Sequence, residues 1–454
     1  MVCESRVCES RLFGGKAKVH LNLILFQLLM ITCAVASGQA PLAGPQSVTL
    51  PGSGSSAVTR LSEEVTSQLT LARFEEIALR NNPTLASAMA RVSMARGRMV
   101  QAGFYPNPVV GYHGTEVGNL GTSGGQGGFV SQRFITGHKL TLDRAIAAKE
   151  IKESRFLYDA QQQRVLNDVH LRFYDALVSQ RRVELTDELV QVADDLVRAS
   201  QKLLQGGLTS ENDLLQAEIE AEQTRLLLEN SRNEYAEMWR RLVMVVGVPA
   251  LPMDLLVGQL DGNIPQLKWE DCLAGVLDRN PELSAARMRV ERARLVIRRA
   301  RKENVPDVDL SVSIRHMAPT DSDVANVQAG IPLPLFNRNQ GNITSACSEL
   351  VATSNEVRRI ELDLQDRLAV AFRRYANSRQ QVDRYTDRIL GWSKRSLDLV
   401  TEGYRTGQVD YITLVNSQRT FIRVHLAYVD SLRELRQAAT IIAGQLLSGS
   451  LASR

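Results

Sequence analysis

The sequence predicts a mainly α fold that carries a four-stranded transmembrane β-sheet segment, and three observations predict it. The chain is duplicated: Asn82-Pro83-Thr84-Leu85 returns as Asn280-Pro281-Glu282-Leu283, 198 residues on, while Gly207 and Leu214 return as Gly407 and Leu414, 200 residues on. Two proline-free stretches, about 140–205 and about 339–406, read as single very long helices. Before each lies a pair of short segments with the marks of paired strands. A period this long denotes a duplicated structural unit, not a solenoid of short repeats.

A chain of 454 residues would by length alone hold two or three domains. The duplication instead implies one body of two similar halves, 69–250 and 266–447. A net charge of +4 is small for this size and gives no sign of a nucleic-acid protein. Aromatic residues make up only 5%, which suits long helices packed through Leu, Val and Ala.

Residues 1–36 read as an export signal. Arg6, Arg11, Lys16 and Lys18 form a basic region, an apolar run follows from Val19 to Val35, and Ala34-Val35-Ala36 offers small residues for cleavage. Acylation at Cys33 is the competing reading. Residues 37–68, rich in Gly, Pro and Ser, read as a flexible leader. Beyond the signal only Cys272 and Cys347 remain, too few and too distant for a disulfide framework or a metal site.

A short helix is expected at about 69–80, and a second at about 83–104. Pro83 opens the second, and Pro106 and Pro108 stop it. The strand region, about 108–136, holds Val109-Val110, Tyr112, Phe129-Val130 and Phe134-Ile135 around a loop at Gly118–Gly128. The second copy, about 308–336, alternates more cleanly. Val308, Leu310, Val312 and Ile314 are interleaved with Asp309, Ser311, Ser313 and Arg315. Such period-two patterning puts one face against something apolar and the other against water.

Each long helix would span roughly 100 Å at about 1.5 Å per residue. Val183, Val190, Val197 and Leu204 fall seven apart, beside Leu189, Leu196 and Leu203. This heptad predicts left-handed coiled-coil packing, and two adjacent files imply two helical neighbours. Glycine turns follow, at Gly206-Gly207 and Gly407, with Ser210 and Asp410 placed to cap the returning helices. Those helices, about 209–247 and 409–447, run back as the second legs of helical hairpins. Added to the helices before the strands, they nearly match the long helices, as in a cylinder of even length.

Four amphipathic strands in an exported protein point to a membrane, yet four cannot close, and open edges leave backbone groups unpaired in lipid. Three copies would give twelve strands and a lumen, so the expected assembly is a homotrimer. No Walker loop, dinucleotide fingerprint, nucleophile elbow or HExxH occurs, so no enzyme, cofactor or metal site is expected. The histidines His20, His113, His138, His170, His316 and His425 lack ligand spacing. Met89, Met94 and Met99 read as packing residues, and the arginine-rich stretch 287–302 as a solvated face. A periplasmic coiled-coil scaffold or adaptor without a barrel is the alternative, disfavoured by the strand alternation.

With these residues in order, the chain resembles the TolC-like outer-membrane efflux family over about 69–447. The carriers are the duplicated Asn-Pro-x-Leu segments, Gln101-Ala102-Gly103-Phe104-Tyr105-Pro106-Asn107-Pro108, Gly330-Ile331-Pro332-Leu333-Pro334-Leu335-Phe336, and Tyr404-x-x-Gly407 with Leu414. The Gln-Ala-Gly…Pro-Asn-Pro wording of residues 101–108 looks most like the branch serving cobalt–zinc–cadmium resistance pumps. The resemblance implies a trimeric α/β-barrel channel-tunnel seated in outer-membrane lipid and reaching into the periplasm. Its implied partners are a periplasmic adaptor and an inner-membrane transporter, usually proton-driven; nucleic acid is not among them. Cargo would be heavy-metal cations or drugs, or proteins if the duct served type I secretion. It further implies adaptor contact at the tips: Gly206, Gly207, Leu208, Thr209, Gly407, Gln408 and Val409. Where the family's best-studied tunnel has gate aspartates, this chain has Thr413 and Asn416. Asp213 could supply a ring of three carboxylates, or simply cap its helix with Ser210.

Overall fold

In a computed structural model, the described residues are 69–452, apart from 119, 120, 122, 208 and 263. The predicted signal, the leader and Leu208 lie outside them. The elements, in chain order, are β1 (Leu69–Thr70), α1 (Leu71–Asn81), α2 (Pro83–Gln101), β2 (Val109–Thr115), β3 (Gly125–Phe134), α3 (Lys139–Gln205) and α4 (Glu211–Val246). The second half follows with β4 (Leu256–Val257), α5 (Trp269–Arg279), α6 (Pro281–Lys302), β5 (Val308–Met317), β6 (Ser322–Gly330) and α7 (Gln340–Arg384). A π turn (Tyr385–Ile389), α8 (Leu390–Arg405) and α9 (Tyr411–Ala443) complete it.

The long helix of the first half is continuous for 67 residues. Its counterpart is interrupted by the π turn, although no proline breaks it. The spacing of its inward residues explains why. Leu364, Leu368, Ala371, Tyr375, Ser378 and Val382 alternate by four and three, but beyond Tyr385 the inward positions are Ile389, Ser393, Leu397, Val400 and Tyr404. Three successive steps of four carry one residue more than a heptad allows. A turn with i→i+5 bonding absorbs it, and Tyr404 returns to the packed side.

The returning helices are shorter than their turn signals predict, 36 residues in α4 and 33 in α9. With α2 at 19 and α6 at 22 residues, each stacked pair falls about three turns short of the long helix beside it. Gly247, with φ of 85°, ends α4, and a Cβ there would stand 2.7 Å from the Asn81 carbonyl oxygen. The end of α4 therefore abuts the start of α2. Asn82 joins them: its Oδ1 accepts from Thr84 N at 2.9 Å, and its Nδ2 donates to Val245 O at 2.7 Å.

Two equivalent cores hold the halves. In the first, Phe74 meets Phe173 and Trp239 with ring centroids 5.9 and 6.1 Å apart, together with Leu242 and Val169. The parallel pair β1–β4 closes this core, a contact of two residues per strand that gives no sequence signal. The second core gathers Leu283, Leu364, Leu368, Tyr375 and Leu435. The halves are tied through α3. Buried Asp175 accepts from Arg433 Nε at 2.8 Å and Gln437 Nε2 at 2.6 Å, and Asn167 Nδ2 donates to the carbonyls of Gly444 and Leu447.

Two sequence readings need correction. Met89 and Met94 are exposed, because Leu85, Val92 and Ala95 form the packed stripe of α2. The arginines of α6 are not one solvated face: Arg289 and Arg292 both reach Glu153 of α3, at 2.6 and 3.1 Å, and Arg299 reaches Asp143 at 2.8 Å. Cys272 and Cys347 are free and half-buried.

Candidate functional site: an amphipathic sheet and two hairpin tips

The four longer strands form one antiparallel sheet in the order β2-β3-β5-β6. Its register places Val110, Val130, Val312 and Val327 in one row across all four strands. Directly opposed residues share a face. The neighbouring rows on that face hold Tyr112, Gly128, Ile314 and Ala325, then Gln132, Leu310 and Ala329. The opposite face carries Ser131, Ser311 and Gln328, then Ser313 and Asn326, then His113 and Arg315. There Arg133 grips Asp309 at 2.7 and 3.3 Å.

The first face is thus mainly apolar and the second mainly polar, although Val109, Phe129 and Val324 share the second, and Gln132 and, at the loop end, Gln126, His316 and Asp323 share the first. Valines of the apolar row are exposed, Val110 by 74% and Val327 by 71%. β2 and β6 are edges with no further strand among the described residues. The first copy reads poorly in sequence because glycine interrupts it. Gly111 makes room for the Phe129 ring, which would lie 2.5 Å from a Cβ at that position, a cross-strand aromatic cover for a strand glycine.

The tips lie at the far ends of the helices. The second is a Schellman cap: Gly407 (φ 72°) donates to Tyr404 O, and Gln408 donates to Gly403 O at 2.8 Å. At the first, Gly206 donates to Lys202 O, and Gly207 (φ 67°) donates to Leu204 O. Both returning helices are capped. Asp410 accepts from Thr413 N at 3.2 Å. Ser210 and Asp213 form a reciprocal capping box, each accepting from the other's backbone N–H at 3.2 Å, and Thr209 Oγ1 donates to Asp213 at 2.8 Å. The hydroxyls of Thr209 and Ser210, with the Ser210 amide, hold the Asp213 carboxyl below its ordinary value of 3.8. This carboxylate serves its own helix. Thr413 and Asn416 are exposed on α9.

Sequence reasoning missed what joins the tips. Tyr404, Tyr411 and Leu414 of the second hairpin are buried against Ala217 of the first, with Leu196, Val197 and Leu203 of the first packed half-buried beside them. Tyr404 and Tyr411 meet at 6.0 Å between centroids, and burial pushes the Tyr411 phenol up to about 12. The Tyr404 hydroxyl is buried with no partner among the described residues. Arg419 of α9 grips Glu220 of α4 at 2.7 and 3.1 Å. The apolar residues were visible as parts of two separate stripes; nothing local says that the stripes meet.

No group of three or more His, Cys, Asp or Glu among the described residues could hold a metal ion. None of the described helices is long and apolar enough to cross a membrane.

Comparisons with known proteins agree with this architecture. The family model for outer membrane efflux proteins matches residues 76–248 and 273–444, once for each half. The cobalt-zinc-cadmium resistance protein CzcC of Cupriavidus metallidurans is 24% identical over 398 residues, covering 86% of this chain and 92% of its own. The pyoverdine export outer membrane protein OpmQ of Pseudomonas putida is 24% identical over 442 residues, covering 88% and 91%. Among solved structures, CusC superposes with a TM-score of 0.70 at 18% identity, over 84% of this chain and 92% of that one. The chain belongs to the outer membrane efflux protein family, as a passive channel protein of the outer membrane that extends into the periplasm, not an enzyme.

Proposed function

We propose that the chain is one third of a trimeric duct in a tripartite efflux system. Three copies join β2 of one sheet to β6 of the next, giving a closed twelve-stranded barrel in the outer membrane. The helices of the three form a tube through the periplasm. Each half, 69–250 and 266–447, supplies one strand pair and one helical hairpin. The tips at Gly206, Gly207, Leu208 and Thr209, and at Gly407, Gln408 and Val409, receive a periplasmic adaptor. Thr413 and Asn416 sit at the closing end without a carboxylate ring of the kind that attracts cations. A proton-driven inner-membrane transporter loads the duct. Cargo is assigned to heavy-metal cations, on the likeness to CzcC.

One observation carries this reading: a sheet with a row of four exposed or half-exposed valines across one face, a mainly polar opposite face, and both edges unpaired among the described residues. Unpaired edges cost several kcal/mol per backbone group in hydrocarbon, and closure removes them. Adjacent residues of β5 provide the test. Val312→Arg places a charge on the lipid side, at a cost of about 2–4 kcal/mol near the bilayer centre. Ser311→Arg places it on the lumen side. The expected result is a heat-modifiable trimer for the wild type and Ser311→Arg, lost in Val312→Arg. Equal tolerance of both substitutions would refute the barrel.

A further inference from the structure

A second surface lies where the sheet passes into the helices, and bonds on several sides fix its level. Asn339 Nδ2 donates to Ala300 O at 2.8 Å, setting the β6–α7 segment beside the end of α6. Gln132 Nε2 donates to Pro106 O at 2.8 Å, setting the α2–β2 segment beside the end of β3. Lys139 reaches Asp307 at 2.8 Å, joining the start of α3 to the start of β5.

At this level large apolar side chains stand exposed: Phe104, Tyr105, Leu333, Leu335 and Phe336, the last by 91%. Cations stand among them. Arg144, Arg298, Arg301, Lys302 and Arg338 make no side-chain ion pair or hydrogen bond among the described residues, whereas the four acids nearby are paired with three other cations, leaving one negative charge against these five. Asp307 has Lys139, Glu303 and Asp143 share Arg299, and Asp309 has Arg133. The level therefore carries surplus positive charge. The opposite end of the sheet has the reverse character, with Glu116, Asp321 and Asp323 at or beside the loops.

Aromatic and aliphatic side chains mixed with unneutralised Arg and Lys fit the boundary where acyl chains meet charged headgroups. We propose that this belt binds anionic phospholipid headgroups of the leaflet facing the helices, a reading that rests on the embedded sheet proposed above. The guanidinium groups pair with the phosphodiesters while Phe336 and Leu335 enter the acyl region. Clustered basic residues gain affinity for an anionic surface roughly in proportion to their number, and a zwitterionic headgroup gains much less.

The test is lipid retention by the purified full-length chain, equilibrated with equal amounts of phosphatidylglycerol and phosphatidylethanolamine. The expected result is a preference for phosphatidylglycerol on the order of tenfold. It should collapse in Arg298→Gln/Arg301→Gln/Lys302→Gln/Arg338→Gln, survive in Arg298→Lys/Arg301→Lys, and weaken for the wild type in concentrated salt. No preference in the wild type, or one indifferent to salt and to the glutamine substitutions, would overturn the proposal. Heat modifiability measured on the same samples separates the two readings. If the wild type keeps it without lipid preference, only the belt fails; if the wild type lacks it, the embedded sheet fails first.

Discussion

Asn82 and Asn280, 198 residues apart, make the same pair of bonds. Each side-chain oxygen accepts from the first backbone amides of the helix that follows, and each side-chain amide donates to a carbonyl at the end of the returning hairpin leg, Val245 O for Asn82 and Gln445 O for Asn280. One residue type therefore caps a helix start and a chain end at once. Aspartate or serine could do the first task but not the second, having no amide donor for a neutral carbonyl.

Replacing either asparagine by aspartate should keep the N-cap and lose the splice. In Asn82→Asp, loss of this buried bond leaves the Val245 carbonyl unpaired and costs about 1–3 kcal/mol, and Asn82→Ala, which also removes the cap, about 1 kcal/mol more. Thermal dissociation of the assembly should rank wild type above Asn82→Asp above Asn82→Ala. Equal midpoints for the two variants would contradict the double role.

Asp213 supplies a pH test. Its carboxyl is held below 3.8, so its contribution is complete above that value and is lost as the pH falls through the lower folded value. Hydrogen exchange at the first tip should be faster in Asp213→Asn than in wild type at pH 7, and the difference should vanish well below pH 4. Because the carboxylate is engaged in capping, Asp213→Ala should leave cation block unchanged in planar bilayers. A marked change there would restore it to the channel axis.

Tyr404→Phe should be neutral or stabilising by up to about 1 kcal/mol, since it removes a buried hydroxyl that has no partner among the described residues. Tyr411, its ring neighbour, should ionise late. Its pKa is about 12, so its contribution is intact below pH 10, the ordinary phenol value, and is lost as the pH rises through 12. Ultraviolet titration of Tyr411→Phe should lack one late-ionising phenol.

Glu153 lies buried between two arginines that are themselves partly exposed. Glu153→Gln should cost about 1–3 kcal/mol, less than a fully buried pair would, because water can still reach Arg289 and Arg292. Arg289→Gln alone should cost less, as Arg292 still neutralises the carboxylate. Denaturation midpoints of the three variants, with Arg292→Gln included, would check the order.

Much of this architecture is legible in local sequence. The proline-free runs mark the long helices, and Pro83 and Pro281 with their preceding asparagines mark the splices. The alternation Val308–Ile314 gives the sheet its faces directly. In β2 and β3 the same pattern is hidden by Gly111, Gly127 and Gly128, of which Gly111 admits a ring and Gly127 a close backbone. At the tips, the turn glycines and caps are readable because they act within a few residues. The contact of Tyr404 and Leu414 with Leu196 and Leu203 is not, because it depends on how two distant hairpins lie side by side. The ion pair between Glu220 and Arg419 escapes for the same reason.

The wide turn at Tyr385–Ile389 has a mechanical consequence. Such turns are among the few places where a long helix bends sharply. Between it and the tip lie the 16 residues of α8, an arm of about 24 Å at about 1.5 Å per residue. A tilt of about 10° at this pivot would carry Gly407 sideways by about 4 Å, a geometric estimate from the same rise. The shaft above Arg384, with its core around Leu364, Leu368 and Tyr375, need not move at all. The first hairpin has no such pivot, so the two legs meeting at each mouth differ in stiffness by construction.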